Sequence, residues 1–273
     1  MKLSNKAKNI YSQLGEDGII EAIFPYLKKD IQSLEVIEFG AWDGVHLSNT
    51  FNLICQGANA VLIESDEQRF RDLLLTASKY STITPLNKIV RKNGINSLDN
   101  ILKEVPKIKN NEIDVLSIDV DNRDNLNIWK STKLRPQIVL IEIDTRFLPF
   151  ENYEEVAGYE DDSLYQLSNV FKETYNYTNK LGYELVYCSN NMIFVKNAIY
   201  KNLLENYSIT KKPSNLFDYR NFIKYRQITR KDLLILYLKN FLYFPLKYFL
   251  LKMSPQAVKN IYLDKYYYDG LNN

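Results

Sequence analysis

The sequence has few cysteines: only Cys55 and Cys188 occur among its 273 residues. Two cysteines exclude a disulfide framework and a zinc site built from cysteine ligands, and they fit a reducing cytoplasm. The N-terminal residues also lack the apolar segment of a secretory signal peptide. These absences predict a cytoplasmic protein.

Acidic residues outnumber basic residues over most of the chain, whereas its last part has few acidic residues. Residues 1–196 carry 22 Lys and Arg against 28 Asp and Glu, whereas residues 197–273 carry 13 against 5. An acidic body with a basic tail predicts that the tail meets an anionic partner.

A long uninterrupted apolar run is also missing, although residues 230–253 come close to one. Lys239, Lys247, Lys252 and Pro245 interrupt this segment. A membrane span needs about 20 largely apolar residues, and a lysine in mid-span costs roughly 3 kcal/mol. The pattern favours helices on an anionic membrane surface, at its inner face. The alternative is packing on the domain or on a partner subunit, which leaves the oligomeric state open.

Short apolar runs alternate with helix-compatible segments up to residue 144. The runs of strand length are 36–39, 60–63, 83–90, 115–120 and 138–143, and the helical segments are 16–28, 48–57, 66–79, 96–104 and 124–132. Buried strands separated by helices predict βαβ units in a parallel sheet. A further helix at 161–181 precedes two strands in 183–196, turned at residues 189–191.

This pattern predicts an α/β fold: a doubly wound, mostly parallel, seven-stranded Rossmann-like sheet with a C-terminal helical extension. A parallel sheet closed by an antiparallel hairpin is the arrangement found in class I methyltransferases. We expect an N-terminal cap segment at 1–34, a cofactor-binding domain at 35–197 and a basic, apolar extension at 198–273.

The turn after the first strand combines acids with glycines, at Glu38, Gly40, Asp43 and Gly44. Glycines allow sharp bends and close approach of a ligand, but the dinucleotide pattern G-x-G-x-x-G is absent. Acids here would repel phosphate, so the ligand should offer hydroxyls or a positive charge. The spacing resembles the first motif of S-adenosylmethionine (SAM)-dependent methyltransferases. The alternative is a tight turn followed by a helix cap at Ser48, which we also count among the cofactor contacts.

A second acid, Glu64, ends the second predicted strand about 20 residues after the glycine loop. At this separation a βαβ fold places a carboxylate on ribose hydroxyls. The alternative is a solvated acid that caps the next helix.

Acids also end the fourth and fifth strands, at Asp119 and Asp121 and then at Glu142 and Asp144. Close carboxylates suit general-base catalysis or share a cation. Asp119, Asp121 and Glu142 are therefore candidate ligands for Mg²⁺ or Mn²⁺. So negative a pocket argues against a nucleic-acid partner, whose phosphates it would repel.

The sole histidine, His46, lies two residues after the glycine loop. Histidine is a ready general base near neutral pH. Asp119, Asp121 and His46 are the predicted catalytic residues, although a lone histidine is more often structural.

Four stretches together resemble the FkbM-type branch of class I methyltransferases, in particular a subgroup found among bacterial surface-glycan genes. They are "YSQLGEDGII" (11–20), "EFGAWDGVHLSNTFNLI" (38–54), "VLIESD" (61–66), and the pair "LSIDVDNRDNLNIWKS" (116–131) with "RPQIVLIEID" (135–144). The resemblance covers residues 11–196. It implies SAM-dependent methyl transfer to a hydroxyl of a sugar or related small acceptor, including a lipid-linked glycan.

The resemblance also implies that the N-terminal segment closes over the cofactor, with Gln13 and Glu16 as polar contacts. Two departures from the family pattern concern the acceptor side. Asn122-Arg123 replaces a glycine after the fourth strand, and Ile143-Asp144 replaces Tyr-Asn after the fifth.

Two other functions fit parts of the sequence. Asp119-Val120-Asp121 is a D-x-D motif, which in a glycosyltransferase would hold a metal on a sugar-nucleotide diphosphate. The altered Asn122-Arg123 also fits a non-catalytic, methyltransferase-like scaffold.

Overall fold

The structure is a computed structural model that describes residues 1–105, 113–120, 124–150 and 169–220. The predictions for Asp121 and for residues 230–253 concern parts of the chain outside these ranges.

Within the described residues, seven strands form one sheet in the order β3-β2-β1-β4-β5-β7-β6. The first five strands are parallel, and β7 runs antiparallel to both β5 and β6. This confirms the predicted doubly wound sheet closed by a hairpin. The strands are β1 Glu35–Phe39, β2 Asn59–Glu64, β3 Ile83–Asn87, β4 Val115–Ile118, β5 Ile138–Glu142, β6 Tyr183–Cys188 and β7 Asn191–Lys196.

The helices predicted at 16–28, 48–57, 66–79, 96–104 and 124–132 are present with shorter ends. The predicted helix 161–181 begins at Phe171 in the described residues, and its part at 161–168 lies outside them. Pro25 ends the first α-helix early, since residues Phe24–Leu27 continue it only as a 3₁₀ turn. The α-helices are α1 Glu16–Ile23, α2 Phe51–Cys55, α3 Glu67–Ala77, α4 Leu98–Lys103, α5 Asp124–Ser131, α6 Phe171–Lys180 and α7 Asn197–Asn206. Other 3₁₀ turns are Leu3–Lys6, Ile31–Ser33 and Pro213–Asn215.

Alternating strand residues divide the core into two layers, one on each face of the sheet. One layer joins Ile37 and Phe39 of β1 to Trp129 of α5. The other joins Val36 of β1 to Ile19 of α1. Because side chains alternate along a strand, a residue's position in the strand decides which layer it enters.

The predicted cap segment and α7 both pack into the second layer. Leu3 from the predicted cap segment and Ile199 and Leu203 of α7 are buried there with the sheet. In the part of the chain that the structure describes, no helix is long and apolar enough to cross a membrane.

The strand register places five residues in one row at the carboxyl edge of the sheet. Phe39 pairs with Ile63 and Ile118, Ile118 pairs with Ile141, and Glu142 pairs with Asn191. The next residue along each strand completes the row, which therefore reads Glu64, Gly40, Asp119, Glu142 and Asn191. The polar side chains predicted from separate motifs thus meet at one edge.

Gly40 occupies the middle of this row because the backbone there leaves no space for a side chain. It has φ 77°, and a Cβ atom would lie 1.6 Å from the carbonyl oxygen of Asp119. The loops after β1 and β4 therefore touch through their backbones. The glycine requirement comes from this contact.

We predict that Gly40→Ala greatly destabilises the fold. Gly94 is a matched control because it has φ 78° and no atom within 4 Å of an added Cβ. Gly94→Ala should cost about 1–2 kcal/mol, the cost of a left-handed residue. Gly40→Ala should cost on the order of 4 kcal/mol or more, since the Asp119 backbone must also move. Urea unfolding measures both; equal losses would contradict the proposed contact.

Candidate functional site

A cavity of about 380 Å³ opens at the carboxyl edge of the sheet. Its walls come from the loops after β1, β2, β3 and β4, from the end of β5, from the β6–β7 turn and from the N-terminal segment. It lies over β1 and β4, where the strand order reverses, which is the usual ligand position in a doubly wound sheet. Its volume is in the range of small-molecule sites. The lining residues used below are Gln13, Glu38, Gly40, Trp42, His46, Leu47, Ser48, Asn49, Glu64, Arg69, Lys88, Asp119, Glu142, Asn190 and Asn191.

Glu38, on β1, orders the loop that leads into α2. Its Oε2 accepts hydrogen bonds from the hydroxyls of Ser48 and Thr50, both at 2.6 Å, and its Oε1 accepts one from Asn49 N at 3.0 Å. A carboxylate has about four acceptor positions, so most of its capacity is used inside the protein. Ser48 Oγ in turn accepts from the backbone N–H of Thr50 and of Phe51, which begins α2.

Burial raises the pKa of Glu38, which is 3% exposed. The hydrogen bonds from Ser48, Thr50 and Asn49 oppose this shift, because they favour the charged form. Desolvation is the larger effect.

Glu64, at the end of β2, is held by two backbone N–H groups. Its Oε2 accepts from Trp42 N and its Oε1 from Asp66 N, both at 2.8 Å. One acceptor position remains on each oxygen. Glu64 therefore braces the glycine loop and can still accept hydrogen bonds from a vicinal diol.

The glycine loop exposes an aromatic residue at the mouth of the cavity. Trp42 is 38% exposed although its φ of 49° is left-handed, which is unusual for a bulky residue. The Arg69 guanidinium lies 4.8 Å from the Trp42 ring centroid, and the His46 ring packs edge-on at 5.0 Å. Leu47, also left-handed at φ 60°, adds a second exposed apolar side chain.

The opposite wall carries amides from the β6–β7 turn and from the loop after β1. Asn191 Nδ2 donates to Asn49 Oδ1 at 3.4 Å, and Asn49 Nδ2 donates to Ser117 Oγ of β4 at 3.1 Å. This chain of side chains links the hairpin to the middle of the sheet.

The N-terminal segment reaches the cavity because Asp17 holds it. Asp17 Oδ2 accepts from the N–H groups of Ile10, Tyr11 and Ser12, each at 2.8 Å, and Ser12 Oγ accepts from Asp17 N at 3.1 Å. Gln13, the next residue, lines the cavity.

Most of the predicted cofactor contacts line this one cavity. They are Gln13, Glu38, Gly40, Ser48 and Glu64. The helix-capping alternative for Ser48 also corresponds to an observed interaction, because its Oγ accepts the N–H groups at the start of α2.

Three predicted cofactor contacts lie outside the cavity lining. Glu16 is buried beneath the hairpin, where it accepts from Leu14 N and from the Ser189 hydroxyl. Asp43 Oδ1 accepts from the N–H groups of Val45 and His46, which closes its own turn. Gly44 packs on α3, since a Cβ atom there would lie 2.8 Å from Leu73.

Among the predicted catalytic and metal-binding residues, Asp119, His46 and Glu142 line the cavity. Asp121 lies outside the described residues. Asp144 pairs with Arg146 instead of lining the site. Within the described residues, no group of three His, Cys, Asp or Glu side chains is placed to hold a metal ion.

Several lining residues are not predicted by the sequence. Trp42 lies inside the glycine motif, where it could have been noticed as a bulky residue between the two glycines. For Asn191 the sequence predicts only a turn. Arg69, Lys88 and Asn49 carry no sequence signal, because their positions depend on how α3, β3 and the β1 loop meet.

No protein-family model matches this sequence, and a search of curated proteins found no match. Solved structures resemble it in fold. One is a proposed caffeoyl-CoA O-methyltransferase from Staphylococcus aureus, with 13% identity over 71% of this chain and 87% of that chain, at a TM-score of 0.44. Another is M. capricolum TrmK in complex with S-adenosyl-homocysteine, with 14% identity over 89% and 92% of the two chains and a TM-score of 0.40. A third is the MccD protein, at 11% identity over 65% and 75%, with a TM-score of 0.39. At these values function has to be argued from the cavity itself.

We predict a pH-dependent stability contribution from Glu38. Because its folded-state pKa is raised, its contribution is greatest below the ordinary value of about 4.5 and is lost as the pH rises through the raised pKa. The free energy of unfolding of the wild type minus that of Glu38→Gln should therefore fall as the pH rises, and then level off. Urea unfolding at a series of pH values measures this; a difference that grows with pH would refute it.

Proposed function

We propose that the protein is a SAM-dependent methyltransferase that acts on a hydroxyl of a sugar or related small acceptor. One observation carries the proposal. Glu64, at the end of β2, and the glycine loop after β1 line the same cavity over the β1–β4 reversal. Glu64 can accept hydrogen bonds from ribose hydroxyls, and the glycine loop lacks the features of a phosphate site.

The residues of the cavity fit such a cofactor chemically. Glu64 retains acceptor capacity for a ribose diol, and Asp119 and Glu142 favour a cationic group between them. When bound, SAM supplies an electrophilic methyl group on a sulfonium. Trp42, Leu47 and Gln13 lie at the cavity wall, where they would help to exclude water.

The chain's own part in the reaction is to orient the acceptor and remove its proton. Methyl transfer to a hydroxyl would need a base that takes the hydroxyl proton while the carbon–sulfur bond of the cofactor breaks and S-adenosylhomocysteine leaves. Asp119 suits this role because it lies at the centre of the row at the sheet edge, beside Gly40. His46, exposed at the cavity mouth, is the second candidate. We propose Asp121 for the same task. Positioning should supply much of the rate.

The acceptor and the cellular setting rest on the FkbM-type resemblance. It supports a surface-glycan acceptor, free or lipid-linked, at the inner face of the cytoplasmic membrane. The basic segment 230–253 would then contact anionic lipid headgroups. A metal on Asp119, Asp121 and Glu142 and a metal-dependent glycosyltransferase remain the competing proposals.

Calorimetric titration with S-adenosylhomocysteine tests the proposal. We expect micromolar binding by the wild type, about −8 kcal/mol, and its loss in Glu64→Ala. Glu67→Ala is the matched control, since Glu67 is an exposed acid three residues away, outside the cavity lining. It should bind as the wild type does.

A parallel titration with UDP and Mn²⁺ tests the competing enzyme. Binding of UDP in preference to S-adenosylhomocysteine would overturn the methyltransferase and favour the glycosyltransferase. Cofactor binding without turnover on any acceptor would favour the scaffold.

A further inference from the structure

Asn191, the first residue of β7, lines the cavity and has a buried amide with one unsatisfied polar atom. Asn191 is 7% exposed, and its Nδ2 bonds to Asn49. Within the described residues its Oδ1 has no hydrogen-bond partner. A buried carbonyl without a donor costs about 1–3 kcal/mol. Such an atom calls for an explanation, and a ligand that donates to it is one.

Asn49 determines where the Asn191 amide lies. Its backbone N–H donates to Glu38 of β1, and its Nδ2 donates to Ser117 of β4. The strand of Asn191 lies two places beyond β4, and neighbouring strands are about 4.8 Å apart. The Asn191 side chain therefore extends back from the hairpin to a partner held over the β1–β4 reversal.

The charges of the cavity differ between its two halves. Arg69 and Lys88 follow β2 and β3, on the side of Glu64. Asp119, Glu142 and the amides of Asn49 and Asn191 belong to the other side. Of the described lining residues on that second side, none is a lysine or arginine. It therefore suits a cationic donor.

We propose that Asn191 Oδ1 accepts a hydrogen bond from the α-ammonium group of the cofactor. This assignment rests on the proposed function. With the ribose at Glu64, the amino-acid end of the cofactor extends across the reversal towards Asn49 and Asn191. A hydrogen bond to a charged group is the stronger kind. The hairpin would thus recognise the amino-acid portion of SAM, which a simple nucleoside lacks.

The test compares S-adenosylhomocysteine with 5′-methylthioadenosine, which keeps the nucleoside and thioether but has no amino-acid portion. Asn191→Leu should bind S-adenosylhomocysteine at least tenfold more weakly, the loss expected for a charged hydrogen bond. Its affinity for 5′-methylthioadenosine should be unchanged.

Ser214→Ala is the control for loss of a buried, unpartnered polar atom, since Ser214 lies outside the cavity lining. It should leave both affinities unchanged. Wild-type affinity in Asn191→Leu would overturn the assignment, as would equal losses for the two ligands, which indicate altered packing. Those results leave the methyltransferase proposal standing. If the wild type binds neither ligand, both the Asn191 assignment and the methyltransferase proposal are overturned.

Discussion

The site depends on one backbone contact, between Gly40 and the carbonyl oxygen of Asp119. The loops after β1 and β4 touch here too closely for any Cβ atom. This contact fixes the position of Asp119 relative to the glycine loop. Because Glu64 and Glu142 occupy the same row through the strand register, the spacing of the acids across the cavity follows from it.

Glu38 shows how this edge remains ordered despite its negative charge. A buried carboxylate is costly unless it is hydrogen-bonded, and Glu38 accepts from two hydroxyls and one N–H. All three donors come from the short segment Ser48–Thr50, just before α2. The acid therefore converts a flexible loop into a defined turn, and that turn carries Asn49 to its contact with the hairpin.

The sequence predicts the features that depend on local order and misses those that depend on distant pairing. Apolar runs such as Ile138–Glu142, and the turn before Asn191, are visible locally, and they suffice for the sheet and its hairpin. The bond between Asn191 and Asn49 joins residues 142 positions apart, and Glu16 meets Ser189 across 173. Neither can be read from a motif, so the sequence predicts a cofactor contact for Glu16 and only a turn at Asn191. A glycine motif also does not reveal which residues face inward: Asp43 faces its own turn and Gly44 faces α3.

The left-handed residues of the glycine loop follow from the same carboxylates. Such backbone at Trp42 and Leu47 costs on the order of 1–3 kcal/mol each, and both side chains are 38% exposed, so burial returns little of it. The loop keeps this shape because Glu64 holds Trp42 N, Asp43 holds His46 N and Glu38 holds Ser48. Two of these acids also line the cavity. A ligand that donates hydrogen bonds to Glu64 also affects the bond between Glu64 and Trp42 N. Ligand binding at Glu64 and the position of Trp42 at the cavity mouth are therefore coupled.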